Sequence, residues 1–153
     1  QRQMCIRDRN EVKSYAGWAY VNELGIRSRA GVREVLSTSV AGIVTLHPTP
    51  NYLESLPIKL FEYMSAELPV IVSDFPFWRD MLGHADCALF VDPQQPEAIA
   101  RAIDSLVSSP GLASQMGRNG RRLIERQYNW AREESVLLDF YGRLLPEGSG
   151  IGA

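Results

Sequence analysis

The chain has 153 residues, of which 45% are apolar and 22% charged, and its formal net charge at pH 7 is −2. This size suits one ordinary globular domain, and no apolar run approaches the roughly 18 residues that a membrane-spanning helix needs. The absence of a basic stretch argues against a nucleic-acid partner. Cys5 and Cys87 lack both a pairing pattern and a nearby histidine cluster, so we expect a reducing, cytoplasmic location and no metal site.

The amino-terminal part of the chain has weak patterning. Residues 1–9 (QRQMCIRDR) show neither helical nor strand periodicity and are predicted to be a non-native leader. Residues 10–145 form the predicted domain, and the glycine-rich residues 146–153 are predicted to be a flexible tail. Within the domain, residues 12–19 predict a short strand, and residues 28–37 predict a helix capped by its first serine.

The central part alternates compact apolar runs with a helical segment. Residues 40–46 (VAGIVTL) and 68–73 (LPVIVS) predict two strands that are buried on both faces of a parallel sheet. Between them, a loop over residues 47–52 leads to a helix over residues 57–66. Pro57 suits the first helical position, because its φ is already helical and its missing N–H would have no partner there. The loop follows the carboxyl end of a strand, where open α/β sheets bind ligands.

The remaining segments continue this alternation. We expect a short helix over residues 75–82 broken at Pro76, a strand over residues 88–91, and helices over residues 96–107, 111–127 and 130–145. The resulting order, βαβαβαβααα, predicts an α/β fold: a Rossmann-like parallel sheet flanked by helices, with right-handed crossovers. Because unrelated functions share this topology, the order of elements does not decide the function.

Two carboxylates eight positions apart, Glu54 and Glu62, flank the start of the helix over residues 57–66. Free backbone N–H groups and the helix dipole favour an anion at that point by about 0.3–1 kcal/mol per exposed interaction. A carboxylate also accepts hydrogen bonds from two vicinal hydroxyls, as in ribose binding. The pattern suits a sugar nucleotide, which has hydroxyls at both ends and phosphate between them. Two surface carboxylates, or the acid and base of a glycosidase, would have the same spacing.

Two further side chains lie near this segment in the sequence. Lys59, in the first helical turn, is placed to reach a phosphate, and it fits a solvated surface lysine equally well. His47, in the preceding loop, is either a hydrogen-bonded structural residue or part of the site. No G-x-S-x-G elbow and no cluster of metal ligands accompanies them, so the sequence indicates neither a serine hydrolase nor a metalloenzyme.

The spacing Glu54-x7-Glu62 with Leu56-Pro57 inside it, followed by EYMSAELPVI at residues 62–71, resembles the nucleotide-sugar signature of retaining GT-B glycosyltransferases, family 4 in particular. The resemblance extends from about residue 17 to about residue 145. It implies that Glu54, the candidate catalytic residue, contacts the donor sugar, that Glu62 binds the ribose, and that the amides between them face the diphosphate. With the two basic neighbours added, the expected donor-binding residues are Glu54, Ser55, Leu56, Pro57, Ile58, Lys59, Glu62 and His47.

The same resemblance implies the nature of the intact protein. This chain would be the carboxyl-terminal, donor-binding half of a GT-B fold, incomplete at its amino terminus and inactive alone. The intact enzyme would transfer a hexose from a nucleoside-diphosphate sugar, with retention of configuration, in polysaccharide or glycoconjugate synthesis. It would need no metal and no cofactor. Its partners would be the nucleotide sugar and a missing amino-terminal domain that holds the acceptor and through which the enzyme contacts the inner face of the membrane.

The sequence departs from the family pattern in two places. The family's basic phosphate-binding residues belong to a strand and helix that would precede Asn10. Residues 75–78 (FPFW) stand where many members have a glycine pair, which puts backbone-amide contacts at that loop in doubt. Two other functions stay open: a non-catalytic nucleotide-binding module, and a nucleotide-sugar epimerase of GT-B architecture.

Overall fold

The computed structural model describes residues 9–145, and the chain divides into two compact units, one ending at Val32 and the other beginning at Arg33. The predicted leader, apart from Arg9, and the predicted tail lie outside the described residues. The regular elements are α1 (Arg9–Lys13), α2 (Arg29–Ser37), β1 (Gly42–Val44), α3 (Pro50–Leu53), α4 (Ile58–Ser65), β2 (Val70–Ser73), α5 (Pro76–Leu82), β3 (Ala88–Val91), α6 (Pro96–Ser108), α7 (Pro110–Arg126) and α8 (Trp130–Leu144).

The first unit shows that the predicted strand over residues 12–19 is wrong. Helix α1 is followed there by a 3-10 helix at Ala16–Tyr20. The Ser14 hydroxyl donates to the Glu11 carbonyl at 2.6 Å, and the Tyr15 hydroxyl donates to the Glu11 carboxylate at 3.0 Å. Because a strand without a neighbour leaves its backbone N–H and C=O groups unpaired, these local helical turns satisfy the segment better.

The second unit contains a parallel sheet in the order β1-β2-β3. Ile71 of the central strand β2 lies opposite Ile43 of β1 and Leu89 of β3. All four residues of β2 are buried, as the continuous apolar run predicts for a parallel strand covered on both faces. The predicted α/β fold, a parallel sheet flanked by helices, is confirmed, although the sheet has three strands in the described residues instead of four.

Side chains of β2 alternate between two apolar clusters, as the pleat of a strand requires. Val70 and Val72 belong to the larger cluster and Ile71 to the smaller one. The larger cluster also contains Val44, Leu60, Met64, Phe75, Trp78, Met81, Leu82, Cys87 and Leu123. The smaller cluster also contains Val91, Ala102, Leu106, Ala113 and Met116. Helices α4 and α5 therefore share the larger cluster, while α6 packs in the smaller one and α7 contributes to both.

Helix α4 is fixed at its carboxyl-terminal end by α7. The guanidinium of Arg121 donates to the carbonyl of Ser65, the last residue of α4, at 2.6 Å. A Cβ atom added at Gly117 would lie 1.8 Å from the carbonyl oxygen of Glu67, so only glycine allows α7 to approach this closely. These contacts hold the helix from one end.

Three boundaries differ from the prediction. Pro57 is the N-cap of α4, with φ −68° and ψ 127°, and the helix begins at Ile58. Helix α5 is not broken at Pro76 but begins there, because the residue before a proline is disfavoured in the helical region and Phe75 is accordingly extended. The predicted loop over residues 47–52 contains the start of α3. The other predicted helices and strands are confirmed with ends that shift by at most two residues.

None of the helices within residues 9–145 has the length and apolar character needed to span a bilayer.

Candidate functional site

The candidate site begins at the carboxyl edge of the sheet, where the chain leaves β1. The wholly buried hydroxyl of Ser73, at the end of β2, accepts from the Leu46 N–H at 2.7 Å and donates to the Leu46 carbonyl at 2.8 Å. These two hydrogen bonds fix the chain one residue before His47. The side chain of His47 is exposed at this edge, which is the side of the sheet on which α/β proteins bind ligands.

The segment between α3 and α4 contains Glu54 and Ser55. Glu54 is exposed and forms the C-cap of α3, where its N–H donates to the Tyr52 carbonyl. The N–H and hydroxyl of Ser55 donate to the same carbonyl at 3.2 and 3.0 Å. From outside the segment, the indole N–H of Trp78 donates to the Ser55 carbonyl at 2.8 Å. The segment is therefore held both locally and by a side chain of α5.

The first turn of α4 has no side-chain cap. Its N-cap, Pro57, has no side-chain acceptor for the amides of Ile58 and Lys59. The Pro57 carbonyl accepts from the Leu60 N–H at 3.0 Å and closes the turn behind those amides. Amides in this position have no partner within the helix and, together with the helix dipole, favour an anion. The exposed side chain of Lys59 adds a positive charge beside them.

Glu62 lies on the same face of α4 as Ile58, about 6 Å further along the helix axis, since the two residues are four positions apart. Helical Cα–Cβ bonds tilt toward the amino terminus, so the Glu62 side chain leaves the helix in the direction of the first turn. Leu60 and Met64 are wholly buried, whereas Glu62 is exposed. Burial raises the pKa of the neighbouring Tyr63, with a smaller contribution from the Glu62 carboxylate. The predicted residues 55–57 thus come directly before α4, Ile58 and Lys59 form its first turn, and Glu62 lies one turn further on. His47 and Glu54 come before and after α3 in the chain.

A second polar group at the sheet edge was not predicted. Arg79 of α5 makes a two-pronged hydrogen bond with Asp74, which follows β2, and its Nη2 lies 2.7 Å from the carboxylate. The guanidinium also lies over the Phe90 ring of β3, 4.7 Å from the centroid. The hydrogen bond from Arg79 holds the pKa of the Asp74 carboxyl below its usual range. Arg79 therefore links α5 both to Asp74, which follows β2, and to Phe90 of β3.

The described part of the chain contains no group of three or more His, Cys, Asp or Glu side chains arranged to hold a metal ion. Cys87 is a free, buried thiol whose pKa burial raises to about 11, so it is poorly suited to act as a nucleophile. Cys5 lies outside the described residues.

Comparison with known proteins gives a consistent result. The family model for glycosyl transferases group 1 matches residues 10–123. The lipopolysaccharide core biosynthesis mannosyltransferase LpcC of Rhizobium leguminosarum is 26% identical over 67% of this chain and 29% of its own length. Alpha-maltose-1-phosphate synthase of Mycolicibacterium smegmatis is 28% identical over 74% of this chain and 30% of its own length. The capsular polysaccharide biosynthesis glycosyltransferase CapM of Staphylococcus aureus is 26% identical over 66% of this chain and 27% of its own length.

A solved structure supports the same fold. Sucrose-phosphate synthase from Thermosynechococcus elongatus superimposes with a TM-score of 0.73 and 24% sequence identity, covering 91% of this chain and 34% of that one. The parallel sheet and its helices therefore have the GT-B fold of the matching part of that enzyme. The chain spans less than a third of the length of the three curated relatives described above.

Proposed function

Because this chain belongs to the glycosyl transferases group 1 family, we propose that it is the donor-binding domain of an enzyme that transfers a sugar from a nucleoside-diphosphate sugar. The observation that carries this proposal is the open amino terminus of α4. Its uncapped amides at Ile58 and Lys59 match the charge of a diphosphate. Glu54 before them and Glu62 behind them match the hydroxyls at the two ends of a nucleotide sugar.

Each residue of the site then has a role in binding the donor. Glu62, leaning toward the first turn, accepts hydrogen bonds from the ribose. Glu54, the proposed catalytic residue, contacts hydroxyls of the donor sugar and orients it for transfer. The amides of Leu56, Ile58 and Lys59, together with the Lys59 ammonium, hold the diphosphate. Ser55, whose N–H is bonded to the Tyr52 carbonyl, and Pro57, which has no N–H, shape the turn that presents these amides. His47 lines the donor side of the sheet edge.

The same groups act on the chemical step. When the bond between the sugar and the diphosphate breaks, negative charge develops on the leaving phosphate oxygen. Fixed amide dipoles and the Lys59 ammonium stabilise that charge more than they stabilise the ground state, which lowers the barrier. We propose that transfer proceeds with retention of configuration, as in glycosyltransferase family 4, and that the reaction uses neither a metal nor a cofactor.

We propose that sugar transfer by the whole protein needs a second domain in addition to this one. A second, amino-terminal domain would hold the acceptor, and this chain alone would bind donor without transferring sugar. Two relatives carry names that place them in lipopolysaccharide core and capsular polysaccharide biosynthesis, which supports a hexosyltransferase of polysaccharide or glycoconjugate synthesis. Such an enzyme would work in the cytoplasm, at the inner face of the membrane.

The proposal is tested by calorimetric titration of the chain with UDP, GDP and ADP. We expect saturable binding of one of the three. Replacing Glu62 by Gln removes a charged acceptor from the ribose, so the affinity for that nucleotide should fall about ten- to a hundredfold. The matched control is Glu97→Gln, since Glu97 is also an exposed glutamate near the proline-led start of a helix, α6. Equal affinities in the wild type and both variants, or no binding of any nucleotide to the folded chain, would refute the donor site.

A further inference from the structure

Trp78 is the side chain of α5 that reaches the proposed phosphate-binding segment, defined as residues 54–58. Its ring is wholly buried in the larger apolar cluster, and its Nε1–H donates to the Ser55 carbonyl at 2.8 Å. The two residues are 23 positions apart, so the hydrogen bond joins separate parts of the chain. We propose, on the basis of the function proposed above, that Trp78 is a positioning residue that holds the phosphate-binding segment in its ligand-ready conformation.

The hydrogen bond is well suited to fixing the segment. The indole N–H is a donor only, and a buried donor that loses its partner costs free energy, so Trp78 and the Ser55 carbonyl hold each other in place. The Ser55 N–H and hydroxyl are both used locally, by the Tyr52 carbonyl. The local bonds close the turn that ends α3, and the bond from Trp78 holds this turn against the core, so the turn should open more often when that bond is lost.

Trp78 is itself held firmly. Its ring packs against Phe75 with the centroids 5.1 Å apart and the planes inclined at 51°. The next residue, Arg79, is bound to the Asp74 carboxylate and lies over Phe90. Helix α5 is thus tied to the ends of β2 and β3, and Trp78 extends this attachment to the Ser55 carbonyl.

Ligand affinity depends on this attachment because the phosphate is bound by backbone groups. Amides hold an anion well only when their direction is fixed before binding, since ordering a loose segment on binding consumes part of the interaction free energy. Glu62, by contrast, lies further along α4, nearer to Ser65, whose carbonyl accepts from Arg121 of α7. Loss of the Trp78 hydrogen bond should therefore weaken phosphate binding and leave ribose binding intact.

The test compares Trp78→Phe with Leu123→Ala in the full 153-residue chain. Trp78→Phe removes the donor and keeps an aromatic ring in the cluster. Leu123→Ala truncates a buried residue of the same cluster on α7 and removes no hydrogen-bond donor. A third variant, in which β-(3-benzothienyl)alanine replaces Trp78, keeps the shape of the ring and lacks only the N–H, so it answers the question if Trp78→Phe fails to fold.

Two readouts are taken at a temperature where every variant is folded. In the free protein, hydrogen exchange of the Ser55 amide should be at least about fivefold faster in both Trp78 variants, because exchange reports local opening. In titrations with UDP, GDP and ADP, the dissociation constant of the nucleotide that binds should rise about three- to tenfold in these variants. The constants for uridine, guanosine and adenosine, measured by saturation-transfer NMR, should not change, and Leu123→Ala should leave all of these values unaltered.

The outcomes separate this inference from the proposed function. If the wild type binds a diphosphate and both Trp78 variants match it in affinity and in Ser55 exchange, the positioning role is wrong and the donor site stands. If nucleoside and diphosphate affinities fall together, or fall equally in Leu123→Ala, Trp78 is an ordinary core residue. If no variant binds a nucleotide but Ser55 exchange accelerates only in the Trp78 variants, the proposed function fails while the ordering of the segment by Trp78 is upheld.

Discussion

At its carboxyl-terminal end helix α4 is enclosed by α7, whereas at its amino-terminal end it is open to solvent. Met64 is wholly buried, and Arg121 donates to the carbonyl of Ser65 beside it. Ile58, at the other end, is 76% exposed, and Pro57 leaves the first amides uncapped. The same eight-residue helix thus has one end whose last carbonyl accepts from a side chain of α7 and one end whose first amides have no N-cap side chain.

Stability and ligand affinity should therefore depend on opposite ends of this helix. Packing at the enclosed end contributes to the free energy of unfolding whether or not a ligand is bound. Exposed groups at the open end contribute little to stability, because solvent satisfies them equally well in the unfolded chain. Substitutions at the enclosed end should therefore change the free energy of unfolding, and substitutions at the open end should change the affinity for a nucleotide.

The largest effect is expected at Gly117. An alanine there places a Cβ 1.8 Å from the Glu67 carbonyl oxygen, and backbone on both sides must shift. We expect Gly117→Ala to lower the free energy of unfolding by about 3 kcal/mol, at the upper end of overpacking effects. Denaturant unfolding measures this change. Gly142→Ala is the control, since nothing lies within 4 Å of the added atom, and it should be neutral or slightly stabilising.

The second largest effect is expected from the ionisation of Cys87. This residue lies close to α7, since a Cβ atom added at Gly120 would be 3.4 Å from the Cys87 Cβ. Burial raises the pKa of its thiol from 9.0 to about 11, so the folded chain keeps a proton that the unfolded chain loses first. The stabilisation is complete below about pH 9 and is lost as the pH rises toward about 11. The melting temperature should fall less steeply over this range in Cys87→Ala than in the wild type. If the melting temperatures of the wild type and Cys87→Ala fell equally over this pH range, burial at the enclosed end would not raise the pKa of the thiol.

A smaller effect is expected at the open end, at Lys59. Removing this charge in Lys59→Ala should weaken diphosphate binding about three- to tenfold at low ionic strength, and less at high salt, because the charge is exposed. The melting temperature of the free protein should stay the same. Lys13, the other lysine of the sequence, is the natural control. An equal effect of Lys13→Ala on affinity would contradict the placement of phosphate at the first turn of α4.

The smallest effect is expected at Glu67, which follows α4 with φ +58°. A side chain in this left-handed conformation is disfavoured, and glycine adopts it freely. Glu67→Gly should therefore stabilise the protein by about 0.5–1 kcal/mol relative to Glu67→Ala. Nucleotide affinity should be equal in the two variants, since the change lies at the enclosed end; a difference in affinity would show that the two ends of α4 are coupled.

Much of the fold follows from local sequence patterns. The runs VAGIVTL and LPVIVS identify β1 and β2 because a strand buried on both faces needs continuous apolar residues. The same reasoning was wrong for residues 12–19, since they contain apolar residues but have no neighbouring strand within residues 9–145. Whether a short segment becomes a strand depends on what lies beside it, and a single sequence does not contain that information.

The candidate site divides in the same way. Pro57 and Glu62 are recognisable because helix starts and helix faces follow short-range rules. Trp78 follows no such rule, because its partner is a backbone carbonyl 23 residues away. The pair of Asp74 and Arg79, five positions apart across the start of α5, likewise depends on how the chain turns after β2. Sequence reasoning found the groups proposed to touch the ligand and missed the groups that hold them.

The placement of the donor phosphates at α4 is tested most directly by following the backbone amide resonances of the ¹⁵N-labelled chain during titration with UDP, GDP and ADP. If the open end of α4 holds the diphosphate, the largest shifts should occur at Ser55, Leu56, Ile58 and Lys59. The amides of Ala66 and Glu67, at the enclosed end, should stay in place. Saturable binding that leaves the first group of amides unshifted, or shifts both groups equally, would contradict the assignment of the donor phosphates to the amino terminus of α4.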